Sequence, residues 1–504
     1  MSARTVAAVD LGAESGRVMA VSFDGTRLQQ RIVNRFANVP HEHGGRLRWD
    51  VDRLGSDIDA GLTELAAGPD PVASVGVDTW GVDYGLFDAD GALLEDPMCY
   101  RDGRRVAALE RALRTVGPER LYNATGVQIL SINGIFGMMD DAEYRPDLLR
   151  RAETLQMMPD VFHHLLSGAT VTDYTAASTS GAYDMAGNRW ATELLDDLGV
   201  PTGMLPEVVA PGTDVGALRG ATATGALAGA RVIVPAGHDT ASAVVAVPYV
   251  DDGAMFISSG TWSLAGVEVD KAVVSETTRA ANLTNEGGYR GSIRLLRNVM
   301  GLWILQECRR QWQREGVELS YPELADQAAA ADGLVSIINP DAQEFLPPGD
   351  MPTRIREYCA RTGQPVPQSF GAVARCILDS LALGYRSVLE DVTAATGERP
   401  PSISVVGGGV NNVLLSQLTS DAAGVPVHCG PAEATALGNA AVQLVALGEL
   451  DGPEQIREVV AAGTEITSYL PRSDARWSGA AEQLQALREA DLGDGPGRGS
   501  GEGR

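Results

Sequence analysis

Two strand–turn segments about 250 residues apart constrain the fold of this chain most. The first is Val6-Ala7-Ala8-Val9-Asp10-Leu11-Gly12-Ala13-Glu14-Ser15-Gly16-Arg17. The second is Met255-Phe256-Ile257-Ser258-Ser259-Gly260-Thr261-Trp262-Ser263. Each starts with an apolar run, reaches a glycine turn carrying hydroxyl side chains, and returns into apolar sequence such as Val18-Met19-Ala20-Val21. A glycine turn lets backbone N–H groups converge on an anion with no Cβ in the way. One such hairpin is most often a plain turn. Two of them, one in each half of the chain, point to a duplicated scaffold that grips a polyphosphate between its halves.

A chain of 504 residues outgrows a single core, so two large domains are expected. The pattern restarts after the turn Asp251-Asp252-Gly253, which sets expected domains at 1–247 and 248–492, with a Gly-rich, disordered tail at 493–504. The net charge of −26, with no basic run to offset it, argues against nucleic acid and anionic membrane as partners. A phosphate ligand then has to be held by local donors and a metal ion. No apolar run approaches the roughly 18 residues of a membrane span. Asp10 and Glu14 interrupt the place of a signal-peptide core, so a cytoplasmic protein is expected. Cys99, Cys308, Cys359, Cys376 and Cys429 show no C-x-x-C spacing, which argues against zinc. Cys359 and Cys376 are open to pairing, although a reducing cytoplasm disfavours it.

Strands and helices alternate. Residues 72–78 read as a buried strand, followed by Thr79-Trp80-Gly81-Val82-Asp83 and a second strand at 84–87. Residues 50–65 have helical spacing, with Val51, Leu54, Ile58, Leu62 and Leu65 apolar, and 107–116 also read as helix. Residues 231–237 form a short strand ending at glycine, directly before His238-Asp239-Thr240. Residues 402–406 form a strand that stops at Gly407-Gly408-Gly409, ahead of a helix through Val413, Leu414 and Leu418. A strand at 425–428 precedes a helix from about 432 to 447. The class is α/β with mixed sheets.

Asp239 is the sharpest catalytic candidate. At the carboxyl edge of a strand, a carboxylate can take the proton of a substrate hydroxyl as it attacks phosphorus. It can equally N-cap the following helix. His238 reads as a hydrogen-bonding neighbour rather than a base. Asp10, at the end of a buried strand beside the first turn, suits a magnesium ion held through water, or an Asx cap. Gly407-Gly408-Gly409 admits a flat or anionic ligand to the backbone; Rossmann and P-loop motifs are absent. Trp80-Gly81 offers an aromatic wall and bare backbone for a sugar, or simply a core tryptophan. Asn298 and Gln306 flank Met300-Gly301-Leu302-Trp303, read as helical, and spacing alone does not single them out.

Taken together, these segments resemble the FGGY family of carbohydrate kinases, within the superfamily of actin, hexokinase and Hsp70, and most of all its rhamnulokinase branch. The resemblance spans roughly residues 5–450. It rests on Asp10-Leu11-Gly12-Ala13-Glu14-Ser15-Gly16-Arg17, Asp78-Thr79-Trp80-Gly81-Val82-Asp83, Tyr100-Arg101-Asp102-Gly103-Arg104 and Gly237-His238-Asp239-Thr240. The later half adds Ser258-Ser259-Gly260-Thr261-Trp262-Ser263-Leu264, Asn285-Glu286-Gly287-Gly288, Asn298-Val299-Met300-Gly301-Leu302-Trp303 and Val406-Gly407-Gly408-Gly409.

The resemblance implies two actin-like, ribonuclease H-like domains around a central cleft. The N-terminal one would bind sugar and phosphate and carry the base, the C-terminal one the nucleotide. It implies ATP with Mg²⁺ and phosphoryl transfer to O1 of a ketose, L-rhamnulose first, with L-fuculose or L-ribulose as alternatives and an actin- or Hsp70-like nucleotide switch as the rival outside enzymology. Ala13, Glu14, Ser15, Gly16, Arg17, Thr261, Gln306 and Gly408 would contact ATP. Gly81, His238, Asp239, Thr240 and Asn298 would hold the ketose, with Asp239 as general base and Asp10 toward the metal. Two positions depart from the family pattern: Gly134, where Thr usually follows Asn133, and Ala176, where Asn is common.

Overall fold

The computed structural model describes residues 3–493. Its chain folds into two compact units made of interleaved segments. Residues up to 249, 267–297 and 433–465 form the first; 250–266, 298–432 and 466 onward form the second. The sequence boundary near 247 is retained as a proposal about domains. Of the expected tail, Gly493 ends a helix, Arg476–Gly493, and the remainder lies outside the described residues.

The first unit opens with the hairpin β1 (Arg4–Leu11) and β2 (Ser15–Phe23), extended by β3 (Leu28–Ala37). Helix α1 (Val51–Ala66) follows, N-capped by the Asp50 carboxylate on the Arg53 amide. Its apolar stripe, Leu54, Ile58 and Leu62, buries against β1 and β2. Strand β4 (Val72–Thr79) then lies parallel to β1, with Asp10 and Asp78 in register. Helix α2 (Met158–Ser167), the antiparallel pair β5 (Asp214–Ala217) and β6 (Arg231–Ile233), and helix α3 (Asp239–Val245) complete this stretch. The sheet order is β5-β6-β4-β1-β2-β3.

Period-two alternation along β4 decides what each face receives. Val75 and Val77 enter the core with α1 and with Val161, Phe162 and Leu166 of α2. Ser74, Gly76 and Asp78 look the other way and meet polar groups described below.

The second unit repeats the design. β7 (Met255–Ser259) and β8 (Trp262–Val269) form the second glycine-turn hairpin, with Ser259 opposite Ser263. The chain re-enters the first unit at residue 267, within β8, and continues through β9 (Thr284–Gly287), which pairs antiparallel with β10 (Ile293–Met300). Helices α4 (Trp303–Arg314) and α5 (Phe370–Thr396) follow, then β11 (Ile403–Val406), parallel to β7 as β4 is to β1. Helix α6 (Val413–Ala423) and β12 (Val427–Cys429) lead to α7 (Ala434–Ala446), which belongs to the first unit; β13 (Thr467–Tyr469) closes the second sheet on β12. One expectation fails. Asn298 and Met300 lie on a strand, and the helix begins only at Trp303. The apolar run Ile293-Arg294-Leu295-Leu296 is interrupted by arginine, which hid its strand character.

Candidate active site

In the first unit, α7 lays two buried amides on the polar face of β4. Asn439 Nδ2 donates to Asp78 Oδ2 at 2.6 Å and to the Gly76 carbonyl at 3.1 Å. Gln443 bonds Ser74 Oγ at 2.7 Å and the Ala7 carbonyl at 3.0 Å. A Cβ on Gly76 would sit 2.8 Å from Gln443 Nε2, so glycine is what lets the helix settle there. Asp78 Oδ1 is buried without a hydrogen-bond partner. Burial raises the Asp78 carboxyl well above its ordinary range, and neighbouring Asp10 raises it further.

Asp10 ends β1 one residue from the turn. Its Oδ2 takes Arg17 Nε at 2.9 Å and Nη2 at 2.7 Å, while Oδ1 makes no hydrogen bond. Arg17 also pairs with Glu433 at 2.5 Å. Burial pushes the Asp10 carboxyl up and Arg17 pulls it back. Among the described residues, no group of three or more His, Cys, Asp or Glu side chains is placed to cage a metal ion. Within the turn, the Gly12 amide donates to the Ser15 carbonyl at 2.9 Å, and Ala13 and Ser15 stand at the surface side. Gly16 is buried instead: a Cβ there would be 2.2 Å from the Phe36 ring.

Asp239 is the first residue of α3, and His238, with extended backbone, occupies the cap position. The carboxylate therefore does not cap the helix in the usual way, but bonds its neighbour. Oδ1 takes the Thr240 amide at 2.6 Å and the Thr240 hydroxyl at 3.3 Å. His238 Nε2 lies 3.3 Å from the same oxygen. On the other side of that ring, Arg294 Nη2 is 3.1 Å from His238 Nδ1. Glu286 Oε2 lies 3.4 Å from the same Nδ1, so that nitrogen faces both the guanidinium and a carboxylate, while Nε2 faces Asp239. Arg294 is itself fixed by the Gly287 carbonyl at 2.9 Å and Glu286 at 3.3 Å. All donors to Asp239 converge on Oδ1, which leaves Oδ2 unengaged. The side chain keeps 31 % of its surface, yet the protein around it is deep enough to raise its pKa; His238 pulls back most, then Thr240 and Arg294.

Gly81 follows β4 and has room only for hydrogen, since a Cβ would lie 2.9 Å from Thr179 Oγ1. Val82 next to it is held at φ +68°, rare for a β-branched residue, by its amide bond of 2.8 Å to that same hydroxyl. The Val82 carbonyl would be 2.5 Å from a Cβ at position 134, so Gly134 leaves room that any side chain would fill. Ala176 is fully buried. Trp80 does not form a sugar wall. It is 4 % exposed, its ring centroid lies 4.2 Å from that of Trp49, and its indole N–H donates to Asp83 at 3.0 Å. The core reading of this tryptophan is correct.

In the second unit, the Gly260 and Thr261 carbonyls accept the Leu302 and Trp303 amides, each at 3.1 Å. Gly301 makes this approach possible: a Cβ would lie 2.6 Å from Ser263 Oγ. Gln306, on α4, has a buried Oε1 with no hydrogen-bond partner. Gly407 needs its φ of +86° and bare Cα against the Ser259 carbonyl, whereas Gly408 is exposed with open space beside it. Asn298 lies on β10. Each unit thus gathers its own share of the expected residues around one glycine hairpin.

Family models match most of the chain. The model of the FGGY family of carbohydrate kinases, N-terminal domain, matches residues 5–246, and that of the C-terminal domain matches residues 255–447. The chain belongs to the FGGY family of carbohydrate kinases. It is 41 % identical over 477 residues to a rhamnulokinase of Bacteroides thetaiotaomicron, covering 94 % of this chain and 97 % of the relative. A rhamnulokinase of Pectobacterium atrosepticum is 38 % identical over 495 residues, covering 97 % and 98 %. Solved structures share the fold: a ligand-bound xylulose kinase from Lactobacillus acidophilus superposes with TM-score 0.78 at 15 % identity, covering 98 % of this chain and 99 % of that one. Plasmodium falciparum glycerol kinase with ADP gives TM-score 0.75 at 13 % identity, covering 98 % and 99 %. This FGGY kinase is therefore a phosphotransferase with an alcohol acceptor, on a two-domain α/β scaffold. No described helix is long and apolar enough to cross a membrane.

Sequence reasoning missed Arg294, Glu433, Asn439 and Gln443, and quoted Glu286 only as part of a motif. A charged residue inside the apolar stretch 293–296 was the available signal for Arg294. Asn439 and Gln443, four apart on α7, were visible only as two amides in an alanine-rich helix.

Proposed function

We propose that this chain is an ATP-dependent ketose kinase that phosphorylates O1 of L-rhamnulose. The observation that carries the reaction is the asymmetry of Asp239, with Oδ1 saturated by Thr240 and His238 and Oδ2 unengaged. A base needs one free oxygen of fixed direction, and Oδ2 is suited to take the O1 proton as O1 attacks the γ-phosphorus. His238, held between Arg294 and Glu286 on one side and Asp239 on the other, keeps Oδ1 occupied while Oδ2 faces the hydroxyl. Gly81, His238, Thr240 and Asn298 are proposed as ketose contacts. For the nucleotide, residues 13–17 are proposed in the first unit and Thr261, Gln306 and Gly408 in the second; the buried, unpartnered Gln306 Oε1 supports this. Magnesium arriving with ATP would neutralise phosphate charge, and Asp10 Oδ1 fits holding it through water. A cytoplasmic location goes with this reading.

The choice of ketose rests on the two relatives named rhamnulokinase. The test is coupled ADP release with L-rhamnulose, L-fuculose and L-ribulose under one condition. We expect kcat/KM for L-rhamnulose to exceed the others by about 10–200-fold, the usual worth of one methyl or hydroxyl contact. A higher value for either competitor would overturn the substrate and leave the kinase reading standing. ADP release without dependence on any sugar would overturn both.

A further inference from the structure

The loop that delivers Asp239 has no regular structure between β6 and α3, yet both peptide N–H groups before Asp239 end on one turn. Asp173 closes the short strand Val171–Asp173 and caps the one-turn helix Tyr174–Ala177. Its Oδ2 accepts the Gly237 amide at 3.1 Å, the Ala176 amide at 2.8 Å and the Thr175 hydroxyl. Thr175 Oγ1 in turn accepts the His238 amide at 3.0 Å. From the opposite side, the Thr79 amide at the end of β4 donates to the Gly237 carbonyl at 2.9 Å. A Cβ on Gly237 would lie 2.9 Å from Pro159 Cγ and 3.0 Å from Asp173 Oδ2.

The turn is braced from behind. Asp160 Oδ2 accepts the Asp173 amide at 2.9 Å, and Asp160 Oδ1 is 3.2 Å from His163 Nδ1. His163 Nε2 accepts the Val77 amide of β4 at 3.1 Å. Asp160, His163, Asp173 and Thr175 are each at most 1 % exposed.

Helix capping alone does not account for this. Asparagine or serine caps a helix as well as aspartate does, and neither brings the cost of a buried anion. Asp173 Oδ1 is buried without a hydrogen-bond partner, and burial followed by Asp160 pushes this carboxyl up to about 7. What this side chain adds is one oxygen that gathers three donors at once, one of them the peptide two residues before the base.

We propose that Asp173 and Thr175 are positioning residues: they fix the Gly237–His238 peptides and so hold Asp239 Oδ2 in line for the attacking hydroxyl. The inference rests on Asp239 being the base. A displacement of about 1 Å at a reacting group costs up to about 100-fold in rate.

The test is steady-state kinetics with L-rhamnulose and MgATP. Thr175→Val keeps the volume but removes the acceptor for the His238 amide. We expect kcat to fall at least about tenfold, with both KM values within about threefold of wild type, because misalignment penalises the transition state and not binding. Thr175→Ser, which restores the hydroxyl, returns kcat to within about twofold of wild type by the same argument. Asp173→Asn gives a second reading should Thr175→Val fail to fold; melting temperatures check both. Each change is repeated in an Asp239→Ala background, where a residue acting through Asp239 has nothing further to lose. A folded Thr175→Val enzyme with wild-type kcat would overturn the proposal, as would an equal loss in the Asp239→Ala background. Failure of the base reading shows separately, as wild-type turnover by Asp239→Ala alone.

Discussion

The two oxygens of Asp239 differ because every nearby donor points at one of them, and this has a measurable consequence in pH. Burial raises the folded-state pKa above 3.8, against the opposing pull of His238, Thr240 and Arg294. A base works only when ionised, so kcat/KM should fall as pH drops through that raised value, placing the acid limb above pH 3.8. A profile flat down to the ordinary aspartate range would contradict the environment described here. Asp239 and His238 were legible in the sequence because Gly-His-Asp sits where a strand gives way to a helix. Arg294 was not, because nothing in one chain says which charged residue of an apolar strand turns inward. Trp80 shows the reverse error: an aromatic beside Gly81 resembled a sugar wall, but its indole belongs to Asp83 and the core.

At the level of elements, α3 owes its position to α7. Gly438 on α7 faces the backbone of α3 so closely that a Cβ would come within 1.8 Å of the Ser242 carbonyl. Neither helix can yield by a side-chain rotation, so Gly438→Ala should force them apart. We expect a loss of about 1–3 kcal/mol in urea unfolding, together with reduced kcat, since Asp239 begins the displaced helix. An unchanged midpoint and turnover would show that the contact is looser than described. Hydrophobic alternation revealed β1, β2, β4 and α1 from sequence, with α1 beginning one residue after its Asp50 cap. β10 escaped because arginine broke its apolar run, and the sequence motif around Gly301 was read as one helix when it is a strand, a tight turn and a helix start.

On the scale of the molecule, the interleaving of segments matters most. The first unit is finished only when residues 433–465 return to it, bringing Asn439 to Asp78 and Gln443 to Ser74 and Ala7. A fragment ending at residue 247 lacks these partners and leaves Asp78 buried without its amide donor. It should show no cooperative thermal transition by circular dichroism; a sharp transition near that of the whole chain would contradict this. Sequence could announce two halves from two glycine hairpins, but no local pattern tells that a helix near residue 440 completes a sheet begun at residue 4. The claim that joins all three scales is that Asp239 supplies the base of a sugar kinase. Its most direct measurement is ketose-dependent ADP release by Asp239→Asn, alongside nucleotide affinity and melting temperature. The account predicts a fall in kcat of about 10²–10⁴-fold, with ATP affinity and melting temperature close to wild type. Near wild-type turnover by the folded variant would contradict it.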